Sequence, residues 1–298
     1  MGRSGETPRA EGAGSTDHVP VLLEETVEFL VENAPGTFVD GTAGGGGHLQ
    51  AVLARLPAEA RVLAMDRDPA ALARVQRRVG EDSRLVLRQG AFDRVGDVLA
   101  RLGFPPVEAA LFDLGMSTDQ LEDDGRGFSY RRQAPLDMRF DSSGGTTADE
   151  LVNRLPQNEL ADLIYELGGE RRSRRIARRI VQRRPIADTS ELTSAVSSAV
   201  RGYRPGVLSR VFQALRIAVN DEMGQLRRLL DSMSGWMSTG GRVGVITFHS
   251  LEDRMVKLFF RDGEDFRPGE PPWTGPSRDE QKSNVRSRSA KLRRGVRL

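Results

Sequence analysis

Two hydrophobic periodicities alternate along the first 113 residues of the chain. Short apolar runs typical of buried strands occupy residues 37–40, 61–66, 85–87 and 107–113. Helical spacing precedes or follows these runs at residues 19–31, 48–56 and 69–79. Regular alternation of strand and helix is typical of a doubly wound, mostly parallel sheet. The sequence therefore predicts the α/β class with a Rossmann-like domain.

The pattern changes after Gly115. Residues 119–145 are polar and rich in turn-forming residues, and only helical spacing follows, at 148–155, 159–167, 172–182 and 189–200. A helical segment at 211–230 and a buried strand at 241–248 then restore the first pattern. We therefore predict an α/β domain built from residues 17–118 and 211–298, with an all-helical domain, 119–210, inserted into it. Residues 1–16 lack any apolar period and are predicted to be a disordered leader.

Composition excludes several kinds of site. The 298 residues include no cysteine, so disulfides, thiolate metal sites and thiol catalysis are ruled out. Three histidines are too few for most histidine metal clusters, and we predict no metal. No apolar run approaches the roughly 18 residues of a membrane-spanning helix, and no secretory signal is recognisable. We expect a cytoplasmic protein without a membrane partner.

Positive charge is concentrated in two stretches, although the net charge at pH 7 is only +2. Residues 171–184 hold eight arginines and no acid, and residues 282–298 hold seven basic residues and no acid. Such stretches are typical of phosphate-binding surfaces, but a solvated helix face and a flexible tail give the same pattern. The candidate RNA contacts there are Arg174, Arg175, Arg178, Arg179, Arg286, Arg288 and Lys291.

A glycine-rich loop joins the first strand to the next helix. Residues 41–48 contain five glycines, which allow a sharp turn and close approach of a ligand to the backbone. Asp66 lies 20 residues beyond Gly46, at the end of the second strand, where a carboxylate can accept hydrogen bonds from a ribose. The combination indicates a nucleoside-containing cofactor, and the alternative is a glycine-rich turn without a ligand.

The charge of Asp40, directly before the loop, favours one cofactor over another. A carboxylate here repels a pyrophosphate but attracts an ammonium or sulfonium group. S-adenosylmethionine therefore suits the loop better than a nicotinamide dinucleotide. A P-loop is excluded because no Gly-Lys-Ser/Thr follows the glycines.

Reactive groups are expected where the remaining strands end, because ligands of open α/β sheets bind at that edge. Asp113 ends the fourth strand, Ser117 follows it, and His249 follows the last predicted strand. An exocyclic amine is a weak nucleophile, so its methylation requires an acceptor for its proton. Asp113 is the main candidate, with His249 and Ser117 as secondary ones. Phe92 either stacks on an adenine or belongs to the core.

These motifs resemble the MraW family, the ribosomal RNA small-subunit methyltransferases H. The resemblance extends over residues 18–293 and rests on ordered motifs, namely His18–Leu23, Asp40–His48, Asp66–Pro69, Asp113–Gly115, Arg126–Ser129, Pro135–Arg139, Gly169–Arg171, Arg175–Ala177, Phe212–Ile217, Phe248–Arg254 and Arg286–Arg293. Two places depart from the family pattern, Ala43–Gly45 and Met116–Thr118, and they leave the fit around the methyl donor open.

The resemblance implies a class I methyltransferase fold and S-adenosylmethionine-dependent methylation of a cytidine N4 in small-subunit (16S) ribosomal RNA. The residues that it implies for the cofactor are Gly46, Gly47, His48, Asp66, Phe92, Asp113 and Gln120, to which the loop itself adds Asp40 and Gly45. Arg139 lies in a turn-rich stretch that is a candidate to close over the target base. The implied partner is ribosomal RNA, within an assembled or nearly assembled subunit.

Other functions remain open from the residues alone. A related transferase acting on DNA or on a protein amine, an RNA-binding assembly factor without turnover, and a nicotinamide-dependent oxidoreductase each fit part of the pattern. The sequence predicts neither the exact nucleotide, except through the family, nor whether the protein is a monomer or a homodimer.

Overall fold

A computed structural model describes residues 19–117, 120, 121, 123, 125–200 and 202–298. The predicted leader, residues 1–16, lies outside the described residues. So do His18, at the start of the first motif, Thr118, and the predicted domain boundary between residues 118 and 119.

Seven strands form one sheet at the centre of the larger domain. They are β1 (Thr37–Asp40), β2 (Arg61–Asp66), β3 (Leu85–Gln89), β4 (Val107–Asp113), β5 (Met237–Thr247), β6 (Phe266–Thr274) and β7 (Lys291–Arg297). Their order across the sheet is β3-β2-β1-β4-β5-β7-β6. The pairs among β1 to β5 are parallel, whereas β7 runs antiparallel to both of its neighbours. The predicted α/β class and mostly parallel sheet are confirmed.

Twelve α-helices of the described residues connect or cover these strands. They are α1 (Leu23–Val31), α2 (Gly47–Leu53), α3 (Pro69–Val79), α4 (Val95–Leu102), α5 (Ala148–Arg154), α6 (Gln157–Gly168), α7 (Ser173–Gln182), α8 (Thr189–Ala199), α9 (Pro205–Asn220), α10 (Glu222–Ser232), α11 (Ser250–Asp262) and α12 (Arg278–Ser283). None of the helices in the described part of the chain is long and apolar enough to cross a membrane.

The sheet is buried on both faces. Successive residues of a strand point to opposite faces, so Leu111 of β4 packs with α1 and α2 while Phe112 packs with α4, α10 and α11. All four residues of β1 are buried. This double burial explains why the strands read as continuous apolar runs rather than as alternating ones.

Helices α5 to α9 build a separate apolar core. It includes Leu160, Ile176, Leu192 and, from α9, Val207, Leu208, Val211, Phe212 and Leu215. The predicted boundary between residues 210 and 211 therefore falls inside α9, so the domain division stays a prediction, and the corner after α9 lies at Asp221. This residue adopts φ 50° between α9 and α10, so the two helices form a corner instead of the single helix predicted at 211–230.

The basic C-terminal stretch includes a strand, which excludes the alternative that residues 282–298 are only a flexible tail. Residues 291–297 form β7 between β5 and β6. Arg293 and Arg294 are buried there. Arg293 is bound to Asp253, and the guanidinium of Arg294 lies 5.3 Å from the ring centroid of Phe29. Ion pairing and ring contacts thus allow basic residues inside the sheet.

Replacing Gly295 by alanine tests how tightly β7 is packed. A Cβ atom at this position would lie 2.3 Å from the ring of Phe260, which is itself buried and cannot move aside. We expect Gly295→Ala to lower the free energy of unfolding by about 1–3 kcal/mol, the usual cost of overpacking. Chemical denaturation measures it. Gly235→Ala, with no atom within 4 Å of the added Cβ, is the matched control, and equal stability of the two variants would contradict this packing.

Candidate active site

The strand order brings four strand ends together along one edge of the sheet. Asp66 ends β2, Asp40 ends β1, Asp113 ends β4, and Phe248 follows β5. Neighbouring strands lie about 4.8 Å apart, so this row of residues is about 14 Å long. Asp113 consequently lies between the glycine loop on one side and the β5 end on the other.

A cavity of about 790 Å³ opens above this edge. Most of the predicted cofactor residues line it, as do two further candidates, so that the lining includes Gly45, Gly47, His48, Asp66, Phe92, Asp113, Ser117, Gln120 and Arg286. Asp40, Gly46 and His249 are not part of the wall. The volume lies within the range of about 300–1,000 Å³ that small-molecule sites occupy.

The glycine loop leaves no space for side chains at its last turn. Gly46 has φ 79° and precedes α2. A Cβ atom on Gly47 would lie 2.3 Å from Cγ of Pro20. The N–H of Gly44 donates to Oδ2 of Asp66 over 2.8 Å. The loop is therefore held against the end of β2, and its backbone forms one wall of the cavity.

Three carboxyl groups end neighbouring strands at this edge of the sheet, and burial raises the pKa of two of them to near neutral. Burial, with Asp66 nearby, raises the pKa of Asp40 to about 7 against the hydrogen bond from the Thr42 N–H. Burial, together with the charges of Asp40 and Glu252, raises the pKa of Asp113 to about 8. Burial also raises the pKa of Asp66, although the N–H groups of Asp68 and Gly44 oppose the shift.

Asp113 is fixed through its backbone and leaves one oxygen unpaired. Its N–H donates to Oγ1 of Thr42 over 2.6 Å. Its Oδ1 atom is buried and has no hydrogen-bond partner. A buried carboxyl oxygen without a partner is costly unless a ligand completes it. Asp113 is therefore the strongest candidate on this edge for contact with a polar or cationic ligand.

His48 presents a lone pair to Asp113. Its Nε2 atom lies 3.0 Å from the carbonyl oxygen of Val21, so Nε2 carries the proton and donates. Nδ1 then has no proton and lies 3.7 Å from Oδ2 of Asp113. Burial lowers the pKa of His48 to about 4, so the ring is neutral. His48 thus leaves the charge of Asp113 uncompensated.

His249 belongs to a helix cap behind the cavity wall. Its Nδ1 atom accepts the N–H of Glu252, while the Glu252 carboxylate accepts the N–H groups of Phe248 and His249. Nε2 lies 3.1 Å from Oε1 of Glu252. Both ring nitrogens thus face Glu252 rather than the cavity. This geometry favours a role for His249 in positioning Glu252, and proton transfer by His249 stays a prediction.

Glu252 also lies beside a buried ion pair. The guanidinium of Arg216 binds both oxygens of Glu222, at 2.8 and 2.9 Å. Although burial alone would raise the pKa of Glu252, His249 and Arg216 hold it below the ordinary value. Glu222, His249 and Glu252 bring three ligand-type atoms within 4.8 Å of one another. Because Arg216 already supplies the positive charge, we interpret this cluster as an ion-pair network and not as a metal site.

Asp68, which follows the end of β2 closely, is bound to Gln120 and Arg126, two residues that follow β4 in the chain. It is 3% exposed and caps α3 by accepting the Ala70 N–H. Its Oδ2 atom accepts hydrogen bonds from Gln120 and Arg126, at 3.2 and 3.0 Å. Arg126 also donates to the carbonyl oxygens of Arg139 and Phe140. Gln120 therefore lines the cavity as predicted, and its amide is fixed by Asp68.

The predicted RNA contacts divide into paired and unpaired arginines. Arg139 forms a two-pronged ion pair with Asp137, Lys291 is bound to Asp253, and Arg179 donates to Ser198. Arg288 donates to the Gln281 carbonyl oxygen. In contrast, Arg174, Arg175 and Arg178 on α7 are exposed, and no acid of the described residues lies within ion-pairing distance of them. The contact of any of these residues with RNA stays a prediction.

Comparison with known proteins decides the family. The model of the MraW methylase family matches residues 15–297. The chain is 44% identical to the ribosomal RNA small subunit methyltransferase H of Synechococcus elongatus over 94% of both chains. It is 47% identical to the protein of the same name from Deinococcus radiodurans, over 94% of this chain and 89% of that one.

The chain belongs to the MraW methylase family. As a MraW methylase it is a methyltransferase, and its cofactor is S-adenosylmethionine, which confirms both predictions. Among solved structures, an rRNA methylase of Streptococcus thermophilus matches with a TM-score of 0.46 and 13% identity, over 94% of this chain and 99% of that one. The N-methyltransferase NodS of Bradyrhizobium japonicum matches with a TM-score of 0.43 and 9% identity, over 92% and 93%.

The cavity of this MraW methylase fits such a cofactor. The unpaired Oδ1 of Asp113 and the carboxylate of Asp66 provide acceptors and negative charge for a cationic nucleoside. Phe92 lies on the wall, where it packs edge-on against Phe112 at 6.2 Å. His48, beside Asp113, is neutral and adds no positive charge there, whereas Arg67, Arg74, Arg77, Arg78 and Arg286 supply the cations of the cavity wall.

Sequence reasoning missed several residues of the wall. Glu222, Gln225, Glu252 and Phe140 line the cavity beside the predicted residues. Glu222 and Gln225 lie on α10, whose first turn reaches the cavity only because Asp221 forms the corner after α9. No spacing rule connects these positions to the glycine loop. The Asp68-Pro69 pair, in contrast, is a recognisable helix start that could have indicated the role of Asp68.

The protons on Asp40 and Asp113 predict how affinity for S-adenosylmethionine depends on pH. A bound cation favours the ionised carboxylates, so binding must displace these protons whenever the pH lies below about 7 or about 8. Affinity should therefore rise with pH between about pH 6 and about pH 9, and titration calorimetry measures it.

Asp113→Asn is the control for this pH dependence, because it removes one of the two carboxyl groups. The amino group of the ligand titrates equally with both proteins. The difference between them in the slope of log affinity against pH therefore measures the proton displaced from Asp113. A wild-type slope as shallow as that of the variant would contradict the assignment of a proton to Asp113.

Proposed function

We propose that the protein transfers the methyl group of S-adenosylmethionine to the exocyclic N4 amine of a cytidine in small-subunit ribosomal RNA. The observation that carries the proposal is the unpaired Oδ1 of Asp113 at the middle of the cofactor edge. It is a proton acceptor placed between the glycine loop and the wall formed by Phe248 and Glu252. The names of the relatives support the substrate, since each is a small-subunit ribosomal RNA methyltransferase.

The protein must supply an acceptor for a proton of the amine. Bound S-adenosylmethionine supplies an electrophilic methyl group. The amine of cytosine is weakly nucleophilic because its lone pair is delocalised into the ring, so withdrawal of its proton by a carboxylate assists the reaction. Burial, together with the charges of Asp40 and Glu252, raises the pKa of Asp113 above that of an ordinary aspartate, which strengthens it as an acceptor.

The neighbouring residues position a base beside Asp113. Phe248 and Phe140 present aromatic rings to the cavity, and flat rings are suitable partners for a base that has left its stack. Ser117 accepts the N–H of Gln120, which leaves its hydroxyl proton available to a ligand in the cavity. Arg67, Arg77 and Arg286 on the wall provide positive charge for the phosphates of the same strand.

The wider substrate is single-stranded RNA within an assembled or nearly assembled subunit, and the protein acts in the cytoplasm, where that subunit is found. The exposed arginines of α7 support a polyanionic partner. Recognition of this kind depends on phosphates, shape and splayed bases.

Incubation of small ribosomal subunits with methyl-labelled S-adenosylmethionine, followed by nucleoside mass analysis, tests the function. We expect label in N4-methylcytidine. Label in DNA or in a protein amine would replace the substrate in the proposal. RNA binding without any incorporation would instead indicate an assembly factor.

Substitution of Asp113 separates chemistry from binding. Asp113→Asn should lower the single-turnover rate at saturating cofactor by about 100-fold or more, because the amide cannot accept the proton. The surface variant Asp97→Asn, from the same domain, should retain the wild-type rate. A near-normal rate in Asp113→Asn would refute the role of Asp113 as acceptor.

Neutralising Arg174, Arg175 and Arg178 to glutamine tests whether α7 contacts RNA. If each binds one phosphate, the slope of log affinity against log salt concentration should become shallower by about two units. Arg55, Arg61 and Arg101, at the opposite edge of the sheet, are a matched control for lost charge. Filter binding at several salt concentrations measures the slope, and an unchanged value would mean that this helix face is only solvated.

A further inference from the structure

An exposed tryptophan lies beside the active-site cavity and takes no part in the function described above. Trp273 is at the end of β6 and is 47% exposed, although the large apolar ring would be better buried. Among the described residues it is the largest side chain that is left so exposed. The second tryptophan of the chain, Trp236, instead packs edge-on against Phe112 in the core, at 6.5 Å.

Two cations fix the position of this ring. Nζ of Lys291 lies 5.7 Å from the ring centroid of Trp273, and the guanidinium of Arg293 lies 5.8 Å from it. Arg293 is the cross-strand partner of Trp273 in the β6–β7 pair. Asp253 binds both cations, Lys291 at 2.9 Å and Arg293 at 2.7 Å. The indole is therefore held in place before any ligand arrives, which lowers the entropy lost on binding.

A continuous series of contacts joins this tryptophan to the cavity. Glu252 lines the cavity, and the next residue, Asp253, holds the cations at the Trp273 ring. Lys291 pairs with Thr247, at the end of β5, directly before Phe248 of the cavity wall. Trp273 thus lies on the same edge of the sheet as Asp113, beyond the β5 side of the cavity.

Charge around the ring selects the kind of ligand. Lys291 and Arg293 lie at the ring and share the acid Asp253, and the exposed Arg254 follows Asp253 in the chain. Arg286 extends the positive charge to the cavity wall. An aromatic face between cations is the arrangement that binds single-stranded nucleic acid, because bases stack on the ring and phosphates meet the charges.

We propose that Trp273 is a stacking platform for an unpaired base of the RNA strand that carries the target nucleotide. The proposal rests on the proposed function, since it adds a second contact with the same substrate. The target base enters the cavity, and a neighbouring base of the strand lies on the indole, with its phosphates at Lys291 and the nearby arginines. A surface that bound RNA through charge alone would not require the indole ring, so substitution of the ring tests the proposal.

Kinetics with small ribosomal subunits measure the contribution of the ring. Trp273→Ala should raise KM for the subunit by about tenfold, in keeping with the loss of one base–aromatic stack, and leave kcat within about twofold. Trp273→Phe should restore most of the affinity, because the ring face is what the base requires. Tyr165→Ala, which removes a 58% exposed aromatic ring from α6, is the matched control and should behave as wild type.

Fluorescence tests the contact directly. In a Trp236→Phe background Trp273 is the sole tryptophan, and a cytidine-containing single-stranded oligoribonucleotide should quench its emission. The affinity of each variant for S-adenosylmethionine checks that the cavity is intact.

The outcomes separate this proposal from the proposed function. Unchanged KM in Trp273→Ala, with normal methylation of RNA by the wild type, would overturn the platform alone. A lower molecular mass of that variant in solution would also overturn it, since the ring would then contact a second copy of the chain. Absence of RNA methylation by the wild type would overturn the function, whereas quenching of Trp273 by RNA would still support the platform.

Discussion

Burial of three neighbouring carboxyl groups is the constraint on which this active site depends. Asp66, Asp40 and Asp113 end three neighbouring strands of a sheet that is buried on both faces, and the neutral His48 leaves Asp113 uncompensated. Burial keeps protons on Asp40 and Asp113 near neutral pH. Ionisation of these buried carboxyl groups is unfavourable without a neighbouring cation. A cationic ligand stabilises the ionised form and displaces the protons, so the site favours a sulfonium cofactor. We infer that the methyl donor converts Asp113 into the carboxylate that the proposed reaction needs.

The helical core of α5 to α9 is coupled to these acids through a short series of contacts. Asp68 holds Gln120 and Arg126, and Arg126 in turn holds the backbone at Arg139 and Phe140. Asn220, at the end of α9, binds the same segment by accepting the Phe140 N–H and donating to the Met138 carbonyl oxygen. Residues 138–140 are thus bound both to Arg126 and to Asn220, and Phe140 lines the cavity. We infer that its position responds to the helices that carry the exposed arginines of α7, which would link RNA contact to the shape of the site.

Sequence reasoning succeeded where local signals decide the structure. The bounds of β1, β2 and β4 agree with the predicted strands because charged or turn-forming residues end each apolar run. Pro69 after Asp68 marks the start of α3, because a capping aspartate followed by proline is a local helix-start signal. It missed β7, whose basic residues indicated a phosphate-binding surface or a flexible tail, because only Asp253 and Phe29, far away in the sequence, make their burial favourable. Likewise Glu252 and Glu222 reach the cavity through tertiary packing. Their places could not be predicted from spacing.

The ionisation of Asp113 on cofactor binding is the most direct test of this account. Infrared difference spectroscopy on protein with isotope-labelled aspartate, recorded near pH 7 before and after S-adenosylmethionine is added, observes the carboxyl groups themselves. The account predicts loss of a protonated carboxyl band and gain of a carboxylate band in the wild type, and a smaller change in Asp113→Asn. Carboxyl bands that are the same with and without the cofactor would contradict it.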